Sequence, residues 1–343
     1  MASFMVRRVR RALDILGWSY LAATLLVALT MWTLGDRWWP ATILVFMGRW
    51  VVLLPLAVLV PAALVLRRTL LLPLMLAAAV AVGPIMGART GWRRLLTVPE
   101  GMPFRVVTYN VDGGQLAATE LPLLVEAWQP DVVLFQECGD ELATAVERMT
   151  GWHAHHDYGL CTLSRYPIVS AERMDRSALE RVRQDPAGIG GAGYVVRYTI
   201  ATPGGTIGVA NLHLETPRKG FEGLMAGDVE RLPLNTALRD IESSRARQWV
   251  DGLRAPTIVA GDFNTPVESR IFQEHWGDLT DAFSQIGTGL GFTKYNGWIR
   301  IRIDHVLVDQ AWWRAVRARV GDDFGSDHRP LIVDLVLKAH RPR

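Results

Sequence analysis

Long uncharged stretches dominate the first hundred residues of the chain. Residues 16–34 contain no charged side chain, and neither do residues 69–88. At about 1.5 Å of rise per helical residue, each stretch covers roughly the 30 Å hydrocarbon layer of a bilayer. A third uncharged run, residues 51–66, extends back to residue 48 if Arg49 snorkels to the membrane surface. The pattern predicts about three transmembrane helices, at residues 16–34, 48–66 and 69–88.

Two other interpretations of these stretches are less favoured. A secretory signal peptide also places arginines before an apolar run, but this run is long and no small-residue cleavage motif follows it. Three buried helices of a water-soluble protein would need polar residues to face water, and the stretches have almost none.

The positions of the arginines predict how the chain is oriented in the membrane. Four arginines precede the first stretch, and Arg67 and Arg68 separate the second from the third. Cytoplasmic loops are rich in Lys and Arg, so both segments are expected in the cytoplasm, which leaves the rest of the chain outside it. Arg89, Arg93 and Arg94 follow the third stretch and favour the opposite orientation. An integral protein of a bacterial inner membrane, with an extracytoplasmic globular part, is therefore a hypothesis.

After residue 99 the pattern changes to short apolar runs between Gly, Pro and Asp, alternating with helical periodicity, which is typical of an α/β domain. Strands are predicted at residues 104–109, 132–135, 160–163, 194–200, 208–214, 258–261, 303–308 and 331–337. Helices are predicted at residues 120–128, 140–149, 235–253 and 267–275. The Gly-rich stretches 187–193 and 218–234 are expected to be surface loops. The chain thus divides into a membrane anchor, residues 1–98, and a globular domain, residues 99–343.

Charge distinguishes the two parts. Residues 1–102 carry 11 Lys and Arg against 3 Asp and Glu, whereas residues 103–343 carry 26 against 31. The net charges are +8 and −5. An acidic globular part argues against a surface for duplex nucleic acid, which needs several Lys or Arg contacts to phosphates.

The two cysteines, Cys138 and Cys161, are too few for a disulfide framework. They are expected to be small core residues, with a single disulfide between them if this part of the chain is exported.

Polar side chains recur at the ends of the predicted strands. They are Asn110, Glu137, Asn211 with His213, Asp262 with Asn264, Asp304 with His305, and Asp327 with His328. Any one of them is typical of a helix cap or a turn. Six such groups from six strands are hard to explain as six separate turns. We therefore expect converging strand ends to build an oxygen-rich cluster with imidazoles.

The strings that contain these residues resemble the metal-dependent endonuclease/exonuclease/phosphatase superfamily, which includes deoxyribonucleases, apurinic endonucleases, neutral sphingomyelinases and inositol polyphosphate 5-phosphatases. They are TYNV (108–111), FQE (135–137), LSRYPI (163–168), NLHLE (211–215), GDFN (261–264), RIDHVLV (302–308) and SDHRP (326–330), in the family's order over 223 residues. One such string alone is weak evidence for the family, but seven strings in the family's order are specific evidence for it. The resemblance implies a four-layered α/β sandwich of two packed β-sheets flanked by helices, here preceded by the transmembrane helical region.

The resemblance also implies a metal and a catalytic imidazole. Mg²⁺, with Mn²⁺ as the alternative, would be held by Glu137 as the principal ligand, with Asn110 and Asp327 nearby, because hard cations prefer oxygen ligands. His328 would be the catalytic imidazole, and Asp304 would fix its tautomer by accepting from one ring nitrogen.

Further residues are implied around the substrate phosphate. Asp262 would place or deprotonate the attacking water, His213 would neutralise phosphate charge or protonate the leaving group, and Asn264 would donate to a phosphate oxygen. Asn211 has two equal alternatives, direct contact with phosphate or a buried amide that ties strands together. Arg218 and the lysine after it have two equally supported interpretations: they hold a substrate phosphate, or they make a loop soluble.

Four histidines and one aspartate have a simpler interpretation. His305 follows a site residue on a strand, so it is expected to point to the opposite face, into the core or the surface. His153, His155 and His156 are expected on a solvated strand or turn, because no nearby thiolate or matched histidine completes a metal site. Asp112 is expected to be a turn residue, with a place near the metal as the alternative.

The function predicted is that of a membrane-anchored, divalent-metal-dependent phosphoester hydrolase, in which an activated water attacks phosphorus in line. Phospholipid-type substrates are favoured because membrane helices raise the local concentration of lipid head groups. An anchored nuclease for DNA or RNA is the alternative. A catalytically silent receptor is disfavoured because the required carboxylates and imidazoles are present. The sequence indicates no protein partner.

Overall fold

The computed structural model describes residues 2–113, 115–177, 179 and 193–339. The predicted loop at residues 187–193 lies outside this part of the chain, apart from Gly193. The chain splits into two compact units, Met1–Ala88 with Glu268–Arg270, and Arg89–Val267 with Ile271–Arg343. We call them the helical unit and the globular unit.

The helical unit consists of helices and short helical turns. Its helices are α1 (Ala2–Thr33), α2 (Trp39–Phe46), α3 (Leu56–Leu66) and α4 (Leu71–Val80), with 3-10 turns at Gly35–Arg37, Arg49–Leu53 and Arg68–Leu70 and a π-helical turn at Ala81–Ile85. Three helical segments are long and apolar enough to cross a membrane: Phe4–Thr33, Arg49–Leu66 and Arg68–Ile85. They overlap the three predicted stretches. The first begins before residue 16 because the arginine-bearing residues ahead of the apolar run are also helical.

Polar contacts inside the helical unit show which parts of the segments meet. Arg67, between the second and third segments, pairs at 3.0 Å with Asp14, which lies two residues before the uncharged stretch of α1. The indole of Trp32, near the end of α1, donates to the carbonyl of Pro84 at 3.0 Å. The beginning of the uncharged stretch of α1 therefore lies beside the connection at Arg67, and the end of α1 lies beside the end of the third segment.

Sixteen strands are described in the globular unit. They are β1 (Arg89–Thr90), β2 (Gly101–Asn110), β3 (Val132–Gln136), β4 (His153–Asp157), β5 (Leu160–Ser164), β6 (Ile168–Arg173), β7 (Tyr194–Thr202), β8 (Gly205–His213), β9 (Thr257–Asp262), β10 (Thr280–Asp281), β11 (Thr288–Gly289), β12 (Lys294–Asn296), β13 (Ile299–Ile301), β14 (Asp304–Val308), β15 (Trp313–Val320) and β16 (Leu331–Lys338). The helices are α5 (Leu121–Trp128), α6 (Asp140–Glu147), α7 (Arg218–Met225), α8 (Arg231–Val250), α9 (Arg270–Trp276) and α10 (Ala282–Ile286), with 3-10 turns at Trp92–Leu95 and Ala118–Glu120.

Twelve of these strands form two six-stranded sheets. Sheet I has the order β10-β14-β9-β8-β7-β6, and sheet II has the order β15-β16-β2-β3-β5-β4. Each sheet is mixed, because β8 and β9 run parallel in sheet I and β2 and β3 run parallel in sheet II, while the other pairs are antiparallel. The other four strands pair as β1 with β11 and β12 with β13.

Hydrophobic packing arranges the two sheets and the helices in four layers. Side chains from both sheets fill the space between them, among them Phe104, Val132, Tyr198 and Val306. Helices α5 and α6 cover the outer face of sheet II, and α8 and α9 cover the outer face of sheet I. The four-layered α/β sandwich implied by the resemblance is confirmed.

The eight predicted strands and four predicted helices are all present, with ends shifted by up to four residues. Strands β4, β6 and β15 escaped prediction because each is the edge of a sheet. An edge strand carries polar residues in place of a continuous apolar run.

The prediction of a surface loop at residues 218–234 is wrong, because most of this segment forms α7 and the start of α8. Two of its three glycines, Gly220 and Gly223, allow close helix packing. A Cβ at Gly220 would lie 2.9 Å from the side chain of Leu232, and one at Gly223 would lie 2.1 Å from that of Arg231. The glycine content of this segment suggested a flexible loop, but the helices need residues without a side chain where they pack closely.

A disulfide joins Cys138 to Cys161 on β5. Both residues are buried. The prediction that both cysteines lie in the core is confirmed. The structure also contains the single disulfide that was considered for an exported domain.

Candidate active site

Three of the predicted site residues form a row across neighbouring strands of sheet I. The register of β8 and β9 places His213 opposite Asp262, and the register of β9 and β14 places Asp262 opposite Asp304. Residues in register on neighbouring strands present their side chains on the same face of a sheet. Asp262 and Asp304 are buried, whereas His213 is partly accessible. We call this set the sheet I row.

Asn110 connects the sheet I row to sheet II. It is the last residue of β2, and its amide nitrogen donates to Glu137 Oε1 at 2.9 Å and to Asp262 Oδ2 at 3.0 Å. His213 Nε2 faces the same two carboxylates, at 3.6 Å from Glu137 Oε1 and 3.8 Å from Asp262 Oδ2. Glu137 and Asp262 are 125 residues apart in sequence. Their carboxylate oxygens nevertheless lie within about 6 Å of each other.

His328 completes the cluster from the loop before β16. Its Nδ1 lies 2.8 Å from Asp304 Oδ2, and its Nε2 lies 3.5 Å from Asp262 Oδ2 and 3.8 Å from Asp327 Oδ1. In the part of the chain that the structure describes, Asp262, Asp304 and His328 form a group whose ligand atoms all lie within 4.8 Å of one another. The loop is held in place by Ser326, whose hydroxyl donates to the carbonyl of Asn110 and accepts from the backbone of His328.

The environment gives the two buried carboxylates opposite pKa shifts. Burial raises the pKa of Asp262, and the charge of Asp304 raises it further. Burial would also raise the pKa of Asp304, but the charge and hydrogen bond of His328 outweigh it and lower that pKa. For His328, burial acts to lower the pKa, and the Asp304 and Asp262 carboxylates overcome this and raise it. Asp304 therefore stays ionised beside the imidazole, and Asp262 is the carboxylate that takes up a proton more readily.

Two site residues have a left-handed backbone immediately beyond a strand. Glu137 follows β3 with φ of 52°, and Asn264 follows β9 with φ of 49°. This conformation costs a non-glycine residue about 1 kcal/mol, so the surrounding contacts must hold it. For Asn264 those contacts are a bond from its backbone N–H to Asp262 Oδ1 and one from its side-chain amide to the carbonyl of Leu214, both 2.8 Å.

Asn211 is a buried link between the two sheets. Its amide nitrogen lies 3.2 Å from the carbonyls of Phe135 and Cys161 and from the hydroxyl of Thr162, and its oxygen accepts from Gln136 at 2.7 Å. Asn211 belongs to sheet I and all four partners belong to sheet II. Of the two alternatives from the sequence, this geometry favours the buried amide that ties strands together.

Arg218 lies on the surface of α7. Its side chain is 71% exposed, and its Nε lies 3.8 Å from Glu222 one helical turn later. This geometry favours the alternative in which Arg218 solubilises the surface.

The four histidines that had a simpler interpretation in the sequence, and Asp112, lie as the sequence suggested. His305 is fully buried on the face of β14 opposite to Asp304, with Nδ1 3.0 Å from Asp281 Oδ2 and Nε2 3.0 Å from the carbonyl of Thr265. His153, His155 and His156 lie on β4, a partly exposed edge strand. Asp112 is a turn residue with φ of 48°.

Lys294 was not predicted and lies within the cluster. Its ammonium pairs with Asp327 Oδ2, and its backbone forms an isolated β-bridge with His328. Lys294 is one of only three lysines in the sequence, and it lies in none of the seven family strings. The sequence therefore held no motif that marked it.

Comparisons with known proteins agree with this architecture. The model of the endonuclease/exonuclease/phosphatase family matches residues 107–328. No curated protein sequence matches the chain.

Solved structures of similar fold include three from different sources. A family protein from Bacteroides thetaiotaomicron has a TM-score of 0.51 and 17% identity, covering 70% of this chain and 100% of that one. The human Nocturnin catalytic domain with bound sulfate anion has a TM-score of 0.51 and 18% identity, covering 73% and 100%. Humanized D. rerio TDP2 has a TM-score of 0.50 and 15% identity, covering 68% and 98%. At these identities the likeness shows the fold.

Proposed function

Because the chain belongs to the endonuclease/exonuclease/phosphatase family, we propose that its globular unit is a divalent-metal-dependent phosphoester hydrolase. The observation that carries the proposal is the meeting of the sheet I row with Asn110, Glu137 and His328 at one end of the sandwich. Acidic oxygens and imidazoles packed this closely suit the hydrolysis of a phosphoester by water.

The donor set fits a hard divalent cation, Mg²⁺ or Mn²⁺. The Glu137 and Asp327 side chains are 39% and 38% exposed, and Asp327 Oδ1 is a buried oxygen that accepts no hydrogen bond from the described residues. Oxygen donors of this kind, together with waters and substrate oxygen, are what Mg²⁺ prefers. Glu137, Asn110 and Asp327 would hold the cation, which would neutralise charge on the phosphate oxygens when bound.

Asp304, His328 and Asp262 would handle the proton of the attacking water. Asp304 accepts from His328 Nδ1, which fixes the ring and leaves Nε2 directed at Asp262. As the water oxygen bonds to phosphorus, its proton passes to Asp262 or to His328 Nε2, and the bond from phosphorus to the leaving oxygen breaks. The raised pKa of Asp262 makes it a better proton acceptor than an ordinary aspartate.

His213 and Asn264 would act on the phosphate and the leaving group. His213 is the partly accessible member of the sheet I row, so it can donate a proton or a hydrogen bond to an oxygen of the substrate. The side-chain amide of Asn264 uses one N–H on the carbonyl of Leu214 and has a second for a phosphate oxygen.

We place this site outside the cytoplasm, on a membrane anchor of three helices formed by residues 1–98. The contact of Arg67 with Asp14 supports a common side for the N-terminus and the Arg67–Arg68 connection, as the arginine distribution predicts. The disulfide between Cys138 and Cys161 supports an oxidising compartment, because disulfides are rare in the cytosol. An anchored enzyme meets lipid head groups at high effective concentration, so phospholipid-type substrates are favoured over nucleic acid.

A substrate screen tests the proposal. Detergent-solubilised full-length protein is incubated with Mg²⁺ and either mixed phospholipid vesicles, plasmid DNA or RNA, with and without EDTA, beside the His328→Ala variant. We expect EDTA-sensitive cleavage of phospholipid that the variant lacks. Cleavage of DNA or RNA alone would identify the nuclease alternative. If the wild type cleaves none of these substrates, the result would contradict the hydrolase proposal and support the catalytically silent receptor.

A further inference from the structure

We propose that Lys294 binds the phosphate group of the substrate, an inference that rests on the hydrolase function proposed above. Four carboxylates surround the reaction centre, those of Glu137, Asp262, Asp304 and Asp327. A phosphoester brings further negative charge to this place. Fixed positive charge at the site offsets the repulsion, and a lysine ammonium supplies it with three N–H donors.

Backbone hydrogen bonds join the segment around Lys294 to the loop that carries His328. The amide of Tyr295 donates to the carbonyl of Asp327 at 2.7 Å, and the amide of Arg329 donates to the carbonyl of Thr293 at 2.7 Å. These two bonds flank the bridge between Lys294 and His328. Lys294 therefore has the same backbone support as the catalytic imidazole.

The same segment is also attached to Asp304. The hydroxyl of Thr293 accepts from the backbone N–H groups of Ile303 and Asp304, at 3.2 Å and 3.1 Å. Residues 293–295 thus join the beginning of β14 to the loop before β16. The backbone that carries Lys294 is therefore held to the backbone of Asp304 and to that of His328.

The side chain of Lys294 is positioned to receive an anion from solvent. Its ammonium pairs with Asp327 Oδ2, and 25% of the side chain is exposed. The side chain of its partner Asp327 is 38% exposed, so solvent reaches this ion pair. The ammonium has three donors and uses one on Asp327, which leaves donors for phosphate oxygens.

A different role for Lys294 would be to keep Asp327 in place as a metal ligand. The two roles predict different measurements. A phosphate-binding lysine controls the affinity for phosphate, whereas a residue that acts through Asp327 controls the affinity for the metal. Arginine at the same position would keep the charge and part of the phosphate affinity.

The test uses full-length protein in detergent and measures binding, not turnover. Mg²⁺ and Mn²⁺ are titrated first, and inorganic phosphate is then titrated in saturating Mg²⁺, by calorimetry. The variants are Lys294→Met and Lys294→Arg. Lys338→Met is the control, because Lys338 lies at the end of β16 and bonds the carbonyl of Gln310.

We expect Lys294→Met to lose about 10-fold or more in phosphate affinity, as for the loss of a charge-assisted hydrogen bond. Its metal affinity should stay within about twofold of the wild type, Lys294→Arg should lose less, and Lys338→Met should lose nothing. Unchanged phosphate affinity in Lys294→Met, a parallel loss of metal affinity, or no phosphate binding by the wild type would each overturn the inference. Lys294-dependent phosphate binding by a protein that cleaves no phosphoester would refute the proposed hydrolase function and leave Lys294 as a phosphate-binding residue without a substrate.

Discussion

Asp304 Oδ2 lies 2.8 Å from Nδ1 of His328, and both side chains are buried. The two residues come from different sheets of the sandwich, since Asp304 begins β14 in sheet I and His328 precedes β16 in sheet II. The contact therefore forms only when the two sheets pack, which makes the imidazole's orientation a property of the whole globular unit.

Replacing His328 by alanine should lower turnover on the order of 10²-fold or more. The variant lacks the imidazole ring, whose Nε2 would accept or donate the proton. The measurement is the initial rate on the substrate found by the screen. The control is His153→Gln, a substitution on the exposed end of β4 that should leave the rate unchanged. A His328→Ala rate close to that of the wild type would contradict the assigned mechanism.

Replacing Glu137 by glutamine should raise the Mg²⁺ concentration needed for half-maximal activity by about 10-fold or more, because the side chain keeps its size and loses its charge. Mn²⁺ binding followed by electron paramagnetic resonance gives a measure independent of activity. Glu141→Gln, an exposed site in the first turn of α6, is the matched control. Equal metal affinity in the two variants would exclude Glu137 as a principal ligand.

Replacing Asn211 by alanine should destabilise the fold by about 3 kcal/mol, because the carbonyls of Phe135 and Cys161 and the amide of Gln136 lose a buried partner. The free energy of unfolding in urea measures the effect. A variant with wild-type stability and a raised KM would instead support direct contact between Asn211 and phosphate.

Glu242 on α8 should make the wild type less stable as the pH rises. Burial, and after it the charge of Glu215, raises the pKa of Glu242 to about 8 from an ordinary value of 4.5. The folded state thus holds a proton that the unfolded chain releases above pH 4.5. The protonated carboxyl of Glu242 contributes its full stabilisation below pH 4.5. This contribution declines as the pH rises and is lost once the pH passes about 8.

The check is the Tm between pH 5 and pH 8 for the wild type and Glu242→Gln, which keeps an acceptor for the backbone N–H of Glu215. We expect the wild-type Tm to fall more steeply over this range than that of the variant. Parallel curves would mean that Glu242 does not hold its proton in the folded state.

Removing the disulfide by the double change Cys138→Ala and Cys161→Ala should cost about 3 kcal/mol of unfolding free energy, by the entropy of a loop of this length. Thiol alkylation of protein taken directly from membranes should label neither cysteine before reduction. Labelling without reductant would argue against both the disulfide and the extracytoplasmic location.

The sequence was informative where burial imposed a pattern. Central strands such as β3 are continuous apolar runs, and site residues such as Glu137 stand directly after them, so both could be predicted. Edge strand β15 alternates apolar residues with arginines, and α7 contains glycines for close packing, so their patterns resembled loops. Lys294 reaches the site through a single bridge to a residue 34 positions later, and no local pattern encodes such a pairing.

The sheet I row limits how the residues of this site can change during evolution. Its spacing is set by backbone hydrogen bonds between β8, β9 and β14, and shifting any one strand by one residue would turn its side chain to the opposite face. The spacing of these three side chains therefore depends on the strand register, whereas the loops at the strand ends can vary in length and sequence without changing it.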